Sequence, residues 1–383
     1  MDDMNSFNVN SVAEPPSLCT KNSAYSVGFL SEDDLSPRSV YLKQCDQHSV
    51  VPCAAVYLGR DFESDCKLSL SICCRFRNVF LVVELQHQGI GDLRLTLFAQ
   101  SIVRLRHIVA LNIADNNLTD VGLSAIVDAI ANMPSVKRFN LSYNTIGPKA
   151  ASCLSTYLSL PTCPLEQLVL RCANIDDAEC ERFVSSLMTN QHLLDLDLSE
   201  NLVGASENLN TVMPDLVTGG EALGNLLKSE NCKLQSLKVG KRRTYSLIDR
   251  FLIVLLGWNM IRLDGAVNFA NSMALNSSLT YLDLSYNALG SRGGIALGEA
   301  LSHNRTLQTL FLSNNSIDSL ACLPLCVAIL ENSALEYVRF DGNPIGEGGS
   351  KALMVSTLDG AKVTEVICII VLFSFCHRWL VLA

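Results

Sequence analysis

The residues best able to do chemistry in this chain are six histidines and fifteen cysteines, and their spacing assembles no reaction centre. His107, His192 and His303 fall at boundaries between repeating segments, where a surface turn residue is expected. There is no glycine-rich phosphate loop, no His-Glu-x-x-His zinc pair and no Gly-x-Ser-x-Gly nucleophile elbow. Cys322 and Cys326 lie four apart on a predicted helix, a spacing that could hold a metal or exchange electrons. The same pair reads as small hydrophobes packed in a core. The expectation is a chain with no catalytic residues, no metal and no cofactor, and not an enzyme.

What remains is the chemistry of recognition. Tyr281, Phe311 and Tyr337 fall on successive short apolar segments, beside Asp283, Arg339 and Asp341. Arg171, Asp195 and Asp197 occupy the corresponding places in earlier segments. Aromatic and Arg side chains together are the usual composition of binding hot spots. These nine residues are the expected partner-binding set, fitted to a protein with apolar anchors and a basic rim.

The elements that must position them follow from a ruler of 28. An apolar residue recurs at Leu85, Ile113, Leu141, Leu170, Leu198, Val239, Leu284, Leu312 and Phe340, mostly 28 apart and once 29. Around each stands Leu-x-x-Leu-x-Leu-x-x-Asn-x-Ile/Leu, then often Gly, then helix-spaced apolar residues. That spelling at a 20–29-residue period is a leucine-rich solenoid. The fold class expected is α/β: a right-handed horseshoe with parallel strands on the concave face and helices on the convex face. Pairs such as Leu111 and Ile113, or Leu282 and Leu284, point inward, so alternation turns the residues between them to the concave face.

After each strand the backbone bends inward and strands its polar groups. An amide side chain can satisfy them in its own layer and the adjacent one. The expected ladder is Gln88, Asn116, Asn144, Asn201, Asn259, Asn287, Asn315 and Asn343, with one break at Ala173 in the 29-residue repeat.

The spelling with a full helix resembles the ribonuclease-inhibitor type of leucine-rich repeat. Trp258–Val267, Leu282-Asp-Leu-Ser-Tyr-Asn287 and Gly294–Leu301 are most similar to the leucine-rich-repeat-containing protein seventy-four group. So are Tyr41–Cys45 with Val51-Pro52, and Gln86–Gly91. The resemblance covers roughly 39–362. It implies an interaction module. The Ran GTPase activators share the repeat type and place a functional Arg in a loop after an early strand. Here the early loops, Asn116–Asp120 and Asn144–Pro148, hold no Arg, and Arg292 lies in a later repeat. A cytosolic inhibitor of a secreted-type ribonuclease would need a strongly acidic concave face, and this one is mixed.

The expected organisation is a disordered tail over 1–38, a helical cap over 39–65, an apolar insert over 66–82, a solenoid of about nine repeats over 83–362, and an apolar tail over 363–383. A polar loop near 205–217 and a second insert at 240–256 interrupt the repeats. The two inserts are each 17 residues long and lack repeat character. They read as translated intron sequence, as loops or a docking helix, or as membrane-associating segments. A span needs roughly 20 apolar residues, which leaves membrane contact essentially to the tail.

The net charge of −9 argues against a nucleic-acid partner. An apolar content of 49% supplies ample core. The first residues, Met1–Asn5, carry no basic or apolar leader, so a cytoplasmic, reducing location with free thiols is expected. Sequons such as those at Asn276 and Asn304 then read as coincidences. A monomer is expected.

Overall fold

The computed structural model describes residues 37–54, 81–104, 108–206, 217–230, 232–240, 259–358 and 365–367. Ten strands form one parallel sheet in chain order. They are β1 (Leu81–Glu84), β2 (Ile108–Asn112), β3 (Arg138–Asn140), β4 (Gln167–Val169), β5 (Asp195–Asp197), β6 (Ser236–Lys238), β7 (Tyr281–Asp283), β8 (Thr309–Phe311), β9 (Tyr337–Arg339) and β10 (Glu365–Ile367). Parallel neighbours need a crossover, and a helix supplies it in each repeat. The helices are α1 (Pro37–Gln47), α2 (Gly91–Ile102), α3 (Asp120–Ala131), α4 (Pro148–Ser159), α5 (Asp177–Leu187), α6 (Gly219–Lys228), α7 (Leu263–Ser272), α8 (Gly290–His303), α9 (Ser319–Glu331) and α10 (Gly346–Leu358). The architecture is the expected leucine-rich solenoid.

Between the two layers runs a single core. Leu111, Phe139, Leu196 and Leu282 are buried, as are Ile113, Leu141, Leu198 and Leu284 two residues on. Helix residues such as Leu123, Leu154, Phe183, Phe269, Leu297 and Leu325 close it from the other side. Helix α1 packs on α2 and covers the first repeat, with Tyr41 set edge-on to Phe98 at 6.4 Å.

Three boundaries differ from those expected. The sheet has a tenth strand, because Val366 lies one further period of 28 beyond Val338 and pairs with it. The apolar stretch placed at 66–82 ends earlier, since Leu81 and Val82 belong to β1 and pair with Ile108 and Ala110. Helix α1 begins at Pro37, inside the stretch read as a disordered tail. The rest of that tail, cap residues 55–65, most of both inserts, loop residues 207–216 and the chain after 367 lie outside the described residues.

The strand-side amide ladder is present, with two departures. Asn116 Nδ2 donates to Leu85 O one layer back (2.8 Å) and Ile113 O in its own layer (2.9 Å), and its Oδ1 accepts from Ile90 N (3.2 Å). Asn144, Asn201, Asn259 and Asn343 repeat this pattern. Asn287 accepts from Ile261 N (3.0 Å). At Ala173 the Ile146 N–H turns to the Ala173 carbonyl instead (3.0 Å).

Gln88 does not belong to the ladder. It is exposed, its Nε2 donates to Gln86 O, and it meets Asn116 only through its backbone N–H. It stands in the first described layer, with no earlier strand carbonyl to bridge. Asn315 is the second departure. Its Nδ2 donates to Leu284 O (2.8 Å), but its Oδ1 has no partner among the described residues. There Gly290, at φ +61°, donates to the Asn315 carbonyl, as Gly91 does to the Asn116 carbonyl.

A second ladder was not foreseen. Asn276, Asn304 and Asn332 are buried where each helix turns back to its next strand. Each donates to a carbonyl of the preceding helix end: Leu227, Met273 and Leu301 respectively. Their Oδ1 atoms accept from the following strand approach, at Leu279, Leu307 and Leu335. The sequons at Asn276 and Asn304 are therefore structural amides, closed to a glycosyltransferase in the folded chain.

A third column joins successive helices. Asp92 Oδ1 accepts from Thr119 N and Gly122 N at the start of α3. Asp120 accepts from Gly147, Lys149 and Ala150 at the start of α4. Each first-turn carboxylate thus caps the following helix, where backbone donors and the helix dipole both favour an anion.

Candidate functional site

The concave face is ruled into rows by strand register. One row runs Arg138, Gln167, Asp195, Ser236, Tyr281, Thr309, Tyr337. The next runs Asn112, Asn140, Val169, Asp197, Lys238, Asp283, Phe311, Arg339.

The second row divides by chemistry. Asn112, Asn140, Asp197 and Asp283 each fold back to accept the backbone N–H two residues on, at Ala114, Ser142, Ser199 and Ser285 (2.9–3.2 Å). Short side chains with an oxygen two bonds from Cβ are suited to this local turn. Asp197 and Asp283 thus help to end their strands. Asp283 is also buried, at 4% exposure, so it is no part of an open surface. This corrects its expected place in the partner-binding set.

Lys238, Phe311 and Arg339 replace that turn residue, and their side chains are left to the face. Phe311 stands between Tyr281 and Tyr337, with ring centroids 5.5 and 5.2 Å away and planes tilted by 44° and 43°. The three rings make a continuous zigzag over β7, β8 and β9. Offset ring pairs at these separations are attractive by about 0.5–1.5 kcal/mol each. The rings are half-buried, because each covers part of the next.

Ion pairs bracket the strip. Lys238 Nζ lies 5.9 Å from the Tyr281 ring centroid and 3.0 Å from Asp195 Oδ1. Asp195 also accepts from Gln167 Nε2 (2.6 Å). At the other end Arg339 Nε donates to Asp341 Oδ2 (2.6 Å). These partners fix long side chains before any ligand arrives, which lowers the entropy lost on binding.

Arg171 forms a separate cluster on the N-terminal side. Its guanidinium lies 5.7 Å from the Tyr143 ring centroid and 2.7 Å from Glu200 Oε1. Burial alone would lower its pKa, but Glu200 outweighs this and raises it above the usual Arg value. Tyr143 and Glu200 were missed in the sequence. Their signal was position, since both occupy the loop residue just before the ladder position.

Cys322 and Cys326 are buried in α9 with their sulfurs 3.7 Å apart. Among the described residues no three His, Cys, Asp or Glu side chains gather as metal ligands. No described helix is long and apolar enough to cross a membrane.

The family-model comparison agrees with this architecture. A family model described as Leucine Rich repeat matches residues 104–127, 132–155 and 275–298. The chain carries leucine-rich repeats. It is 29% identical over 174 residues to NACHT, LRR and PYD domains-containing protein 5 of Mus musculus, covering 45% of this chain and 12% of that protein. It is 27% identical over 129 residues to Ribonuclease inhibitor of Sus scrofa, covering 34% of this chain and 26% of the relative. The chain thus matches 12% and 26% of the length of these two relatives. Among solved structures, the leucine-rich repeat-containing protein LegL7 from Legionella pneumophila is 17% identical, with a TM-score of 0.42, covering 76% of this chain and 83% of that one.

Proposed function

We propose that the protein is a non-enzymatic scaffold of the leucine-rich-repeat-containing protein seventy-four type, acting in the cytoplasm. It binds a protein partner on its concave strand face. The observation that carries this reading is the strip Tyr281–Phe311–Tyr337, bracketed by Lys238–Asp195 and Arg339–Asp341. Solvent does not require three aromatic rings in a row on a strand face, whereas a binding centre does. The test is affinity purification from cells with the wild-type chain and with Tyr281→Ala/Phe311→Ala. Loss of a specific partner from the variant, with circular dichroism unchanged, supports the reading; the same partners at the same yield would overturn it.

The similarity to Ribonuclease inhibitor supports a second reading, inhibition of a ribonuclease. A basic enzyme needs an acidic surface, yet three of the acidic groups on this face are already paired with Arg171, Lys238 and Arg339. Titration of a pancreatic-type ribonuclease with the purified chain tests it. Full activity at stoichiometric excess removes it.

A further inference from the structure

Cys322 and Cys326 form a pair that packing alone does not require. They stand one turn apart on α9, and their sulfurs lie 3.7 Å from each other. Neither is in a disulfide. Cys322 is fully buried, and Cys326 is 5% exposed. Cys322 Sγ also lies 3.6 Å from the Gly349 carbonyl oxygen of α10.

The repeat supplies a control. Counted from the amide ladder, the same two places hold Leu123 and Val127 on α3, and Ala266 and Ala270 on α7. On α5 they hold Cys180 and Val184. Cys180 Sγ meets the Gly219 carbonyl at 4.0 Å, as Cys322 meets Gly349. Aliphatic side chains therefore serve at both places, and one thiol has a packing precedent. The second thiol, four residues on, has none among the described helices.

A disulfide is not the natural product of this pair. Residues four apart on a helix hold their Cβ atoms about 5–6 Å apart, whereas a disulfide needs about 3.5–4.5 Å. Closing that bond would break α9. A cation between the sulfurs needs no such change. Two metal–thiolate bonds of about 2.3 Å span the observed 3.7 Å at an S–metal–S angle of about 110°, and reach about 4.6 Å when linear.

We propose that Cys322 and Cys326 bind one copper(I) ion as a bidentate dithiolate. Ligand type and number select the cation. Thiolates favour soft cations, Cu(I) among them. Zn(II) in structural sites takes four ligands, and no third His, Cys, Asp or Glu joins this pair among the described residues. Binding exchanges protons for the ion: two thiols and Cu(I) give a bis-thiolate complex of net charge −1 and two released protons. No electron moves. The residual charge lies next to the first turn of α9, where the helix dipole favours an anion. Burial keeps water from the ion. Cys326, the more exposed sulfur, receives it first. The site departs from the metal-free chain expected from the sequence.

Anaerobic titration of the reduced full chain with Cu(I), in competition with the chelator bicinchoninate, tests the proposal. The chain has fifteen cysteines, so the readout is a difference between variants. Cys326→Val copies the layer of Val184 and should lose one tightly held equivalent of copper. Cys322→Ala copies the layer of Ala266 and should lose the same one. Cys180→Ala removes an equally buried thiol that has no neighbour four residues on, and should lose none. Copper K-edge absorption of the wild type at one equivalent should show two sulfur ligands. Circular dichroism checks the fold of each variant, and two separate substitutions keep the result independent of either. Equal copper retention by the wild type and the folded Cys326→Val or Cys322→Ala chain overturns the proposal, as does an absorption spectrum without sulfur ligands.

Discussion

The side chain of Asn332 donates to the backbone carbonyl of Asn304, 28 residues earlier, at 2.9 Å. The same Nδ2 reaches Leu301 O at 2.7 Å, and Asn332 Oδ1 accepts from Ala334 and Leu335. One amide thus ties the end of α8 to the approach to β9. Asn304 does the same one layer earlier.

Replacing Asn304 by Ala strands buried carbonyls and backbone donors together. The expected loss is about 1–3 kcal/mol, read as a lower midpoint in urea with an unchanged slope. An unchanged midpoint would mean that water satisfies these groups and that the second ladder is not structural.

Ala173→Asn tests the strand-side ladder from the opposite direction. A missing rung invites repair, but the Ile146 N–H is already satisfied by the Ala173 carbonyl, and Ala173 is fully buried. An inserted amide would have to displace that bond and make room for itself. The expected outcome is destabilisation by about 1–3 kcal/mol. A gain in thermal midpoint would show that the layer can return to the regular pattern.

The strand ladder was legible because amide and leucine recur in one short phrase, and each inward Leu constrains the neighbouring register. The helix-end ladder was equally periodic at Asn276, Asn304 and Asn332, but it lies among variable polar residues and two of its members spell a sequon. The concave face was legible in outline, since alternation alone turned Tyr281, Phe311 and Tyr337 to one side. Alternation could not show that Asp197 and Asp283 bend back onto their own backbone. That depends on the chain turning two residues later, which a strand pattern does not encode. Gln88 failed for a related reason: an amide bridges two layers, and among the described residues no strand layer precedes its own.

Asp120 gives a local test of coupling between repeats. Its carboxylate accepts three backbone N–H groups of the next repeat. Asp120→Ala should cost about 0.5–2 kcal/mol, the range for a lost helix cap. The effect should appear outside the mutated repeat. Amide exchange should quicken at Gly147, Lys149 and Ala150 more than within α3; acceleration confined to α3 would disprove the coupling.

The Asp318 carboxylate is held below its ordinary pKa, first by the Ser291 hydroxyl and then by the Ala321 N–H at the start of α9. A lowered carboxylate pKa means that the unfolded chain binds the proton more readily. The stabilisation is therefore full above the ordinary carboxylate pKa and fades as pH falls through the lowered one. Ser291→Ala removes the larger cause, so the Asp318 midpoint should move up towards the ordinary carboxylate range. Carbon-detected NMR titration of the carboxyl reads this directly. A midpoint that stays put would assign the depression to the helix N-terminus instead.

Phe311 and Phe340 lie in adjoining layers and separate surface from core. Phe340 is 1% exposed beneath the sheet, and Phe311 is half-buried between two tyrosines above it. If the aromatic strip exists for a partner, its removal should trouble the free protein little. Phe340→Ala should cost about 3–5 kcal/mol through lost burial and a cavity. Phe311→Ala should cost about 1–3 kcal/mol, mainly the two ring contacts. Chemical denaturation of the two variants side by side gives the ratio. Equal losses would make the strip part of the core and withdraw Tyr281, Phe311 and Tyr337 as binding anchors. A small loss at Phe311 leaves three ordered rings on the concave face that the fold does not need.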